Sequence, residues 1–288
     1  MISENRKSKI RVVVLFGGES AEHDVSCVTA AHVLRALDPH KYEVSTVGIT
    51  REGRWVQSEL PQSKNVKALS ATGSVTSSNL VFEKTSETES LVVIPLLHGP
   101  MGEDGTVQGL LELAHVAYVG SGVLASAVAM DKSVAKQIMS ANGIAQQKFL
   151  TVRDTDDAKS AIDRAIKELG LPMFVKPANM GSSIGVSKVK TRQEADKALA
   201  KAFEYDEWVL IEEAITGREI EVAVLGNESP RASVPGEIVP SHEFYDYDDK
   251  YVGDGAQLLL PSPLSSAEIS EVQHIAIKIY RTLRSDGM

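Results

Sequence analysis

Two hydrophobic periods alternate along the chain. Residues 11–16 (RVVVLF) are apolar after the leading arginine and run into Gly17-Gly18, the pattern of a strand buried on both faces. Beyond them Val25, Val28, Leu34 and Leu37 recur at helical spacing. Ser20 is the expected N-cap of that helix, Glu22 and Asp24 occupy its first turn, and Asp38-Pro39 ends it. Residues 42–50 predict a second strand, 51–54 a turn, 91–97 a continuous apolar strand and 106–116 a helix. Residues 57–90 are polar, rich in serine and threonine and weakly patterned, so loop and short edge strands are expected there. Strand–loop–helix alternation of this kind predicts a parallel, Rossmann-like sheet over residues 1 to about 125.

The middle of the chain follows another pattern. Helices are expected at 131–141, closed by Asn142-Gly143, and at 156–169, stopped by Gly170 ahead of Pro172, with a strand at 147–152 between them. Two strands flank the loop at 176–189. Thr191 then opens a helix with Glu194 as its capping-box partner, and strand 208–213 completes a small α+β unit. From Gly217 the pattern is β-rich (219–226, 232–239, 256–260). A last helix starts near Ser265, with Glu268 as capping-box partner and Ile269, Val272, Ile275 and Ile279 as its stripe.

Composition narrows the class. The 288 residues suffice for two or three domains, and 43% hydrophobic with 24% charged residues describes a soluble globular chain. A net charge of −9 argues against non-specific nucleic-acid binding, so an anionic ligand must be held by locally placed cations. Cys27 is the single cysteine, which excludes an intramolecular disulfide and suits a reducing cytosol. The N-terminal stretch is charged and then enters a five-residue apolar strand, too short for a signal sequence or a membrane span. A cytoplasmic protein is expected.

The chemistry concentrates in KPANMGSSIGVSKV, residues 176–189. Lys176 ends an apolar strand, and Gly181-Ser-Ser-Ile-Gly185 follows. Small residues let backbone N–H groups close over an anion, serine hydroxyls add donors, and the ammonium supplies charge. The loop joins two strands and is not a helix-opening GxxxxGK[ST] loop. A Gly-Ser hairpin beside an unrelated lysine is the plain alternative, and the loop alone leaves both open.

Other segments decide between them. GGESAEHDVS (17–26), LHGPMGEDG (97–105), MDKSVAK (130–136), VLIEEAITGREIEV (209–222) and EFYDYDDKY (243–251) stand around the loop, in an order and at separations that resemble the D-alanine–D-alanine ligase family of the ATP-grasp superfamily. The resemblance covers nearly the whole chain. It implies an α/β ATP-grasp architecture: an N-terminal Rossmann-like substrate domain at 1–127, a central lid domain at 128–216, and an incomplete C-terminal domain at 217–288.

It also implies a reaction, in which ATP phosphorylates one D-alanine carboxylate and the amine of a second D-alanine displaces the phosphate, supplying peptidoglycan synthesis. Carried over residue by residue, Glu212 would accept from the adenine amino group, Glu213 and Ile215 would make backbone contacts, and Glu219 would hold the ribose. Lys132, Lys176 and Lys250, with Ser182 and Ser183, would hold the phosphates, and Lys136 is the weaker candidate. Glu22 would pair with the ammonium of a bound amino acid, His98 would stand at the carboxyl edge of its strand, and Glu22, Ser182 and Tyr251 would form a hydrogen-bonded trio. Tyr251, in place of the phenylalanine or histidine of relatives that use D-lactate, favours D-alanine as second substrate. Without the constellation, the lysines read as solvated loop ends, His98 as a loop histidine and Tyr251 as one of several lid tyrosines.

The family carries a further strand and a later segment with a catalytic arginine and the magnesium ligands. This chain reaches Arg284-Ser-Asp-Gly-Met288 where the first of these is expected, so that segment is read as missing, magnesium is implied without ligands, and no metal residue is assigned. On that reading the 288-residue chain is a poor ligase. The remaining alternatives are a non-catalytic nucleotide-binding product and an ATP-grasp ligase for another amino or hydroxy acid. A homodimer with small-molecule substrates, and neither nucleic acid nor membrane as partner, completes the expectation.

Overall fold

The computed structural model describes residues 9–63, 65–83, 90–241 and 255–288. The chain divides after Val123 into two compact units. The first contains β1 (Ile10–Gly17), α1 (His23–Ala36), β2 (Tyr42–Ile49), β3 (Trp55–Ser58), β4 (Ser74–Val75), α2 (Ser78–Phe82), β5 (Leu91–Pro95), α3 (Thr106–Leu113) and β6 (Ala117–Tyr118). Their sheet has the order β4-β3-β2-β1-β5-β6. The four strands β2, β1, β5 and β6 are parallel, as expected, whereas β3 and β4 extend the edge in antiparallel fashion. β2 and β3 are joined by the short turn after Thr50, as antiparallel neighbours allow.

β1 explains its own uninterrupted apolar sequence. Its alternate residues Val13 and Leu15 join a core with Val47, Val93, Val107 and Leu111, while Val12, Val14 and Phe16 face Cys27 and Ala30 of α1. Helix α1 corrects two expectations. It begins at His23, with Glu22 rather than Ser20 at the N-cap, because the Ser20 hydroxyl donates to the His98 carbonyl at 2.7 Å. Its inner face is the small-residue set Ser26, Cys27, Ala30 and Ala31, which lets the helix lie close on β1, and Val28 is 41% exposed. Cys27 packs as a small hydrophobe: burial, then the nearby Asp24, pushes its thiol up to about 11, so it stays protonated.

The second unit opens on α4 (Val123–Met130), a helix that the sequence pattern did not announce. It comprises α5 (Lys132–Ala141), β7 (Phe149–Arg153), α6 (Ala158–Leu169), β8 (Met173–Pro177), β9 (Ser187–Val189), α7 (Arg192–Phe203), β10 (Trp208–Glu213), β11 (Glu219–Glu221), β12 (Val224–Leu225), β13 (Arg231–Ala232), β14 (Gly236–Val239), β15 (Gln257–Leu259) and α8 (Ser266–Thr282). An antiparallel sheet of order β7-β10-β8-β9 carries α6 and α7 on one face. Strand alternation sorts its residues: Met173, Val175, Val209 and Ile211 enter the core beneath the helices. Phe174, Lys176, Leu210 and Glu212 therefore share the opposite face.

Two caps are informative. Ser265 and Glu268 close the expected capping box of α8. At α7, Thr191 accepts from the Glu194 N–H, but the Glu194 carboxylate takes the N–H of Lys190, one residue before the cap, so the reciprocal half is not formed. The stripe of α8 is only partly covered: Ile269, Val272 and Ile279 are half-buried, Ile275 is exposed, and Tyr280 alone is buried, donating to the Gly226 carbonyl at 2.8 Å. Among the described residues no helix is long and apolar enough to cross a membrane.

Candidate active site

The face of the second unit's antiparallel sheet opposite α6 and α7 forms the wall of a cleft of about 470 Å³. Lys132, Lys176, Ser182, Ser183, Glu212, Glu213, Ile215 and Glu219, dispersed over nearly ninety positions of sequence, all line it. Register brings the central pair together. Lys176 of β8 stands opposite Leu210 and Phe174 opposite Glu212, so Lys176 and Glu212 are diagonal neighbours on one face. Their side chains form an ion pair through Glu212 Oε1. On the other side of the same carboxylate, Lys136 Nζ lies 3.2 Å from Oε2. That approach is charge proximity without hydrogen-bond alignment: Oε2 is buried and receives no hydrogen bond from the described residues. A 3% exposed carboxylate thus keeps acceptor capacity at the cleft wall.

Lys132 occupies the first turn of α5, capped by Asp131, whose carboxylate accepts from the N–H groups of Ser133 and Val134. Its ammonium donates to the carbonyls of Pro177, Ala178 and Met180 at 3.4, 3.0 and 2.5 Å, tying the helix start to the base of the glycine loop. Burial, and then the like charge of Lys176, hold that ammonium down to about 8, partly offset by Asp206, Asp131 and Glu212. Sequence reasoning missed Asp206. Its carboxylate accepts from the backbone and side-chain amides of Asn179 at 2.7 and 3.0 Å and from the Trp208 N–H at 3.0 Å, fixing the other side of the loop.

The loop itself turns through Gly181-Ser-Ser-Ile184, closed by the Ile184 N–H donating to the Gly181 carbonyl at 3.0 Å. Ser182 and Ser183 both have left-handed backbones, with φ of 51° and 59°. This mirror-image turn normally favours asparagine and glycine, so two serines there are unusual. Gly185 then packs so tightly that an added Cβ would lie 2.7 Å from Pro177 Cγ and 2.9 Å from the Tyr205 ring.

At the other end, Glu213 accepts from the Lys148 N–H at 2.9 Å, which spends its side chain on the β7 edge. Ile215 is 68% exposed on the rim, and Glu219 begins β11. Between them Arg218, which the motif reading passed over, grips Glu237 of β14 with two hydrogen bonds of 2.7 and 2.6 Å. These bonds hold Glu237 below the ordinary carboxylate range, and Ser262 joins the group at 3.3 Å.

In the first unit, Glu22 is 4% exposed at the positive end of α1, and its N–H donates to Ser20 Oγ at 3.2 Å. Ser20 also donates to the His98 carbonyl, and the His98 ring lies 3.2 Å from Thr29 Oγ1, so Glu22 and His98 belong to one hydrogen-bonded cluster at the carboxyl edge of the sheet. Glu103 and Asp104 support the following loop by accepting from the N–H groups of Gly99 and Met101, both at 2.7 Å. Ser26 joins β1 to β5, accepting from the Gly17 N–H at 2.8 Å and donating to the Leu96 carbonyl at 2.5 Å. Lys250 and Tyr251 lie outside the described residues.

Comparison with known proteins decides the family. A model of the D-ala D-ala ligase N-terminus matches residues 11–121, and one of the C-terminus matches residues 138–288. The chain belongs to the D-alanine–D-alanine ligase family. The D-alanine–D-alanine ligase of Geobacillus thermodenitrificans is 46% identical over 97% of this chain and 81% of its own length, and that of Bacillus cytotoxicus 43% over 98% and 82%. Among solved structures, VanG D-Ala:D-Ser ligase from Enterococcus faecalis superposes with a TM-score of 0.82 at 33% identity, covering 97% of this chain and 84% of that one. The D-alanine–D-alanine ligase from Coxiella burnetii gives 0.77 at 32%, covering 97% and 80%. The fold is therefore the ATP-grasp fold of D-alanine–D-alanine ligases. Among the described residues no group of three His, Cys, Asp or Glu side chains is placed to hold a metal ion.

Proposed function

We propose that the protein is an ATP-dependent ligase that condenses two D-alanines to D-alanyl-D-alanine for peptidoglycan synthesis. The observation that carries the nucleotide half is the cleft of the second unit, where a buried acceptor without a donor stands beside two ammoniums and a serine turn. Oε2 of Glu212 suits the exocyclic amine of adenine. Glu213 and Ile215 offer backbone groups to the base, Glu219 accepts from ribose hydroxyls, and Lys132, Lys176, Lys250, Ser182 and Ser183 serve the phosphates. ATP supplies the phosphoryl group that turns a carboxylate into a leaving group. In the first unit Glu22, carboxylate-bearing and nearly buried, holds the ammonium of a D-alanine, with His98 beside it. Tyr251 belongs to the same substrate reading. In the second unit, residues 128–216 act as the lid and the segment from 217 as its platform. A cytoplasmic homodimer completes the proposal.

The second substrate is the part most open to change between relatives, since the relatives above include a D-Ala:D-Ser ligase. The test measures ATP-dependent phosphate release with D-alanine alone, then with D-alanine plus D-serine or D-lactate, and identifies products by mass. D-Alanyl-D-alanine is the expected main product. A mixed product that dominates in competition would reassign the second subsite, and no phosphate release with any of the three would defeat the ligase reading.

Lys132 gives this reading a pH signature. Its folded value of about 8 lies below that of an unfolded lysine, so the folded chain loses this proton first, and stability rises with pH from about 8 toward the ordinary lysine range. ATP affinity, which needs the charge, falls over the same interval. Calorimetry with ATP between pH 7 and 9.5, beside urea denaturation, should show the two trends opposed in the wild type and flattened in Lys132→Met. Identical pH profiles in the two proteins would remove Lys132 from the phosphate site.

A further inference from the structure

We infer that Lys136 is a positioning residue that holds the Glu212 carboxylate so that Lys176 is free to turn toward the nucleotide's phosphates. The inference rests on the nucleotide reading above and assigns Lys136 a task other than touching phosphate. Three charged side chains meet behind and along the cleft wall: one carboxylate and two ammoniums. Lys176 and Glu212 line the cleft, whereas Lys136 does not. Lys136 reaches Glu212 from α5, with its ammonium 5.2 Å from the centre of the Phe149 ring and 3.4 Å from Gln146 Oε1. Its side chain is 11% exposed against 21% for Lys176.

The charge count explains the arrangement. If Lys176 were the sole cation on Glu212, drawing it to a phosphate would strand a buried carboxylate, which is strongly unfavourable. Lys136 removes that penalty, because it stays at Oε2 whichever way Lys176 turns. The surplus positive charge of the group is then available at the cleft through Lys176, whose ammonium lies 5.9 Å from the Phe174 ring centre. A phosphate thus competes for a shared partner and not for a committed one.

The test titrates the wild type, Lys136→Met and the double variant Lys136→Met/Glu212→Gln with adenosine and with ATP. Methionine keeps the apolar stem against Phe149 and removes the charge. In Lys136→Met, Glu212 retains Lys176 for itself: adenosine affinity should change little, while ATP affinity falls roughly tenfold or more, the scale of coupling between close charge pairs. In the double variant no carboxylate holds Lys176, and the ratio of ATP to adenosine affinity should return to the wild-type value. Equal losses for both ligands in Lys136→Met, or no loss for ATP, would overturn the inference. Should that variant fail to fold, the double variant carries the test, and a ratio below wild type in it overturns the inference too. A wild type that binds neither ligand fails the nucleotide reading first, which is a distinguishable result.

Discussion

Replacing Lys176 with methionine is expected to weaken ATP binding by roughly ten- to a hundredfold and to lower turnover by about 10²–10³, while the fold survives. The first figure is the loss of a charge-assisted hydrogen bond, about 1.5–3 kcal/mol. The second is the usual effect of removing one preorganised donor from a site where charge develops. The fold survives because Glu212 keeps its second cation, Lys136, and because Lys176 sits on the open face of the sheet while Val175 faces the core. Calorimetry, phosphate release and thermal unfolding measured on the same preparation decide it. A turnover within threefold of wild type would dismiss Lys176 as a phosphate group. A collapse of the melting temperature would instead make it a structural ion-pair partner.

The second large effect concerns stability and lies in the first unit. Gly17 ends β1 with φ of 90°, and a Cβ built there would lie 2.3 Å from the Ile49 carbonyl oxygen of the neighbouring strand. Gly17→Ala therefore combines a left-handed backbone that alanine resists with a collision against rigid backbone. Each contributes about 1–3 kcal/mol, so a loss of roughly 2–6 kcal/mol is expected, a large share of the about 5–15 kcal/mol that stabilises a typical domain. Gly109→Ala is the contrast: this glycine lies in α3 with nothing within 4 Å of a built Cβ, and alanine there should stabilise by about 0.5–1 kcal/mol. Urea midpoints that moved equally for the two variants would refute the packing argument at Gly17.

Much of this architecture is readable in the chain because the signals are local. The run RVVVLF has to be covered on both faces, and it is; Ser265 and Glu268 cap α8 because their spacing alone permits the box. The glycine loop was recognisable from residue types. Its supports were not. Asp206 lies in an unremarkable Tyr-Asp-Glu stretch, and only the fold brings its carboxylate to Asn179, 27 positions earlier. Lys136 and Glu212 are 76 positions apart, so no periodicity relates them. Helix α4 escaped notice because VLASAVAM is apolar nearly all round and leaves no stripe to detect. Ser20 misled for a related reason: a good N-cap residue was taken by the carbonyl of His98, in the loop after β5, 78 positions away.

The paired serines of the glycine turn have a consequence for chemical synthesis. At φ of 51° and 59° they occupy territory that is routine for residues of the opposite chirality. Each L-serine there carries a cost of roughly 1–2 kcal/mol that a D-serine would not. A protein assembled from synthetic fragments with D-serine at 182 and 183 would hold the same turn relaxed, its hydroxyls redirected by the inverted centre. Comparing its nucleotide affinity with that of the natural chain would separate what the backbone of this loop contributes from what its two hydroxyls do.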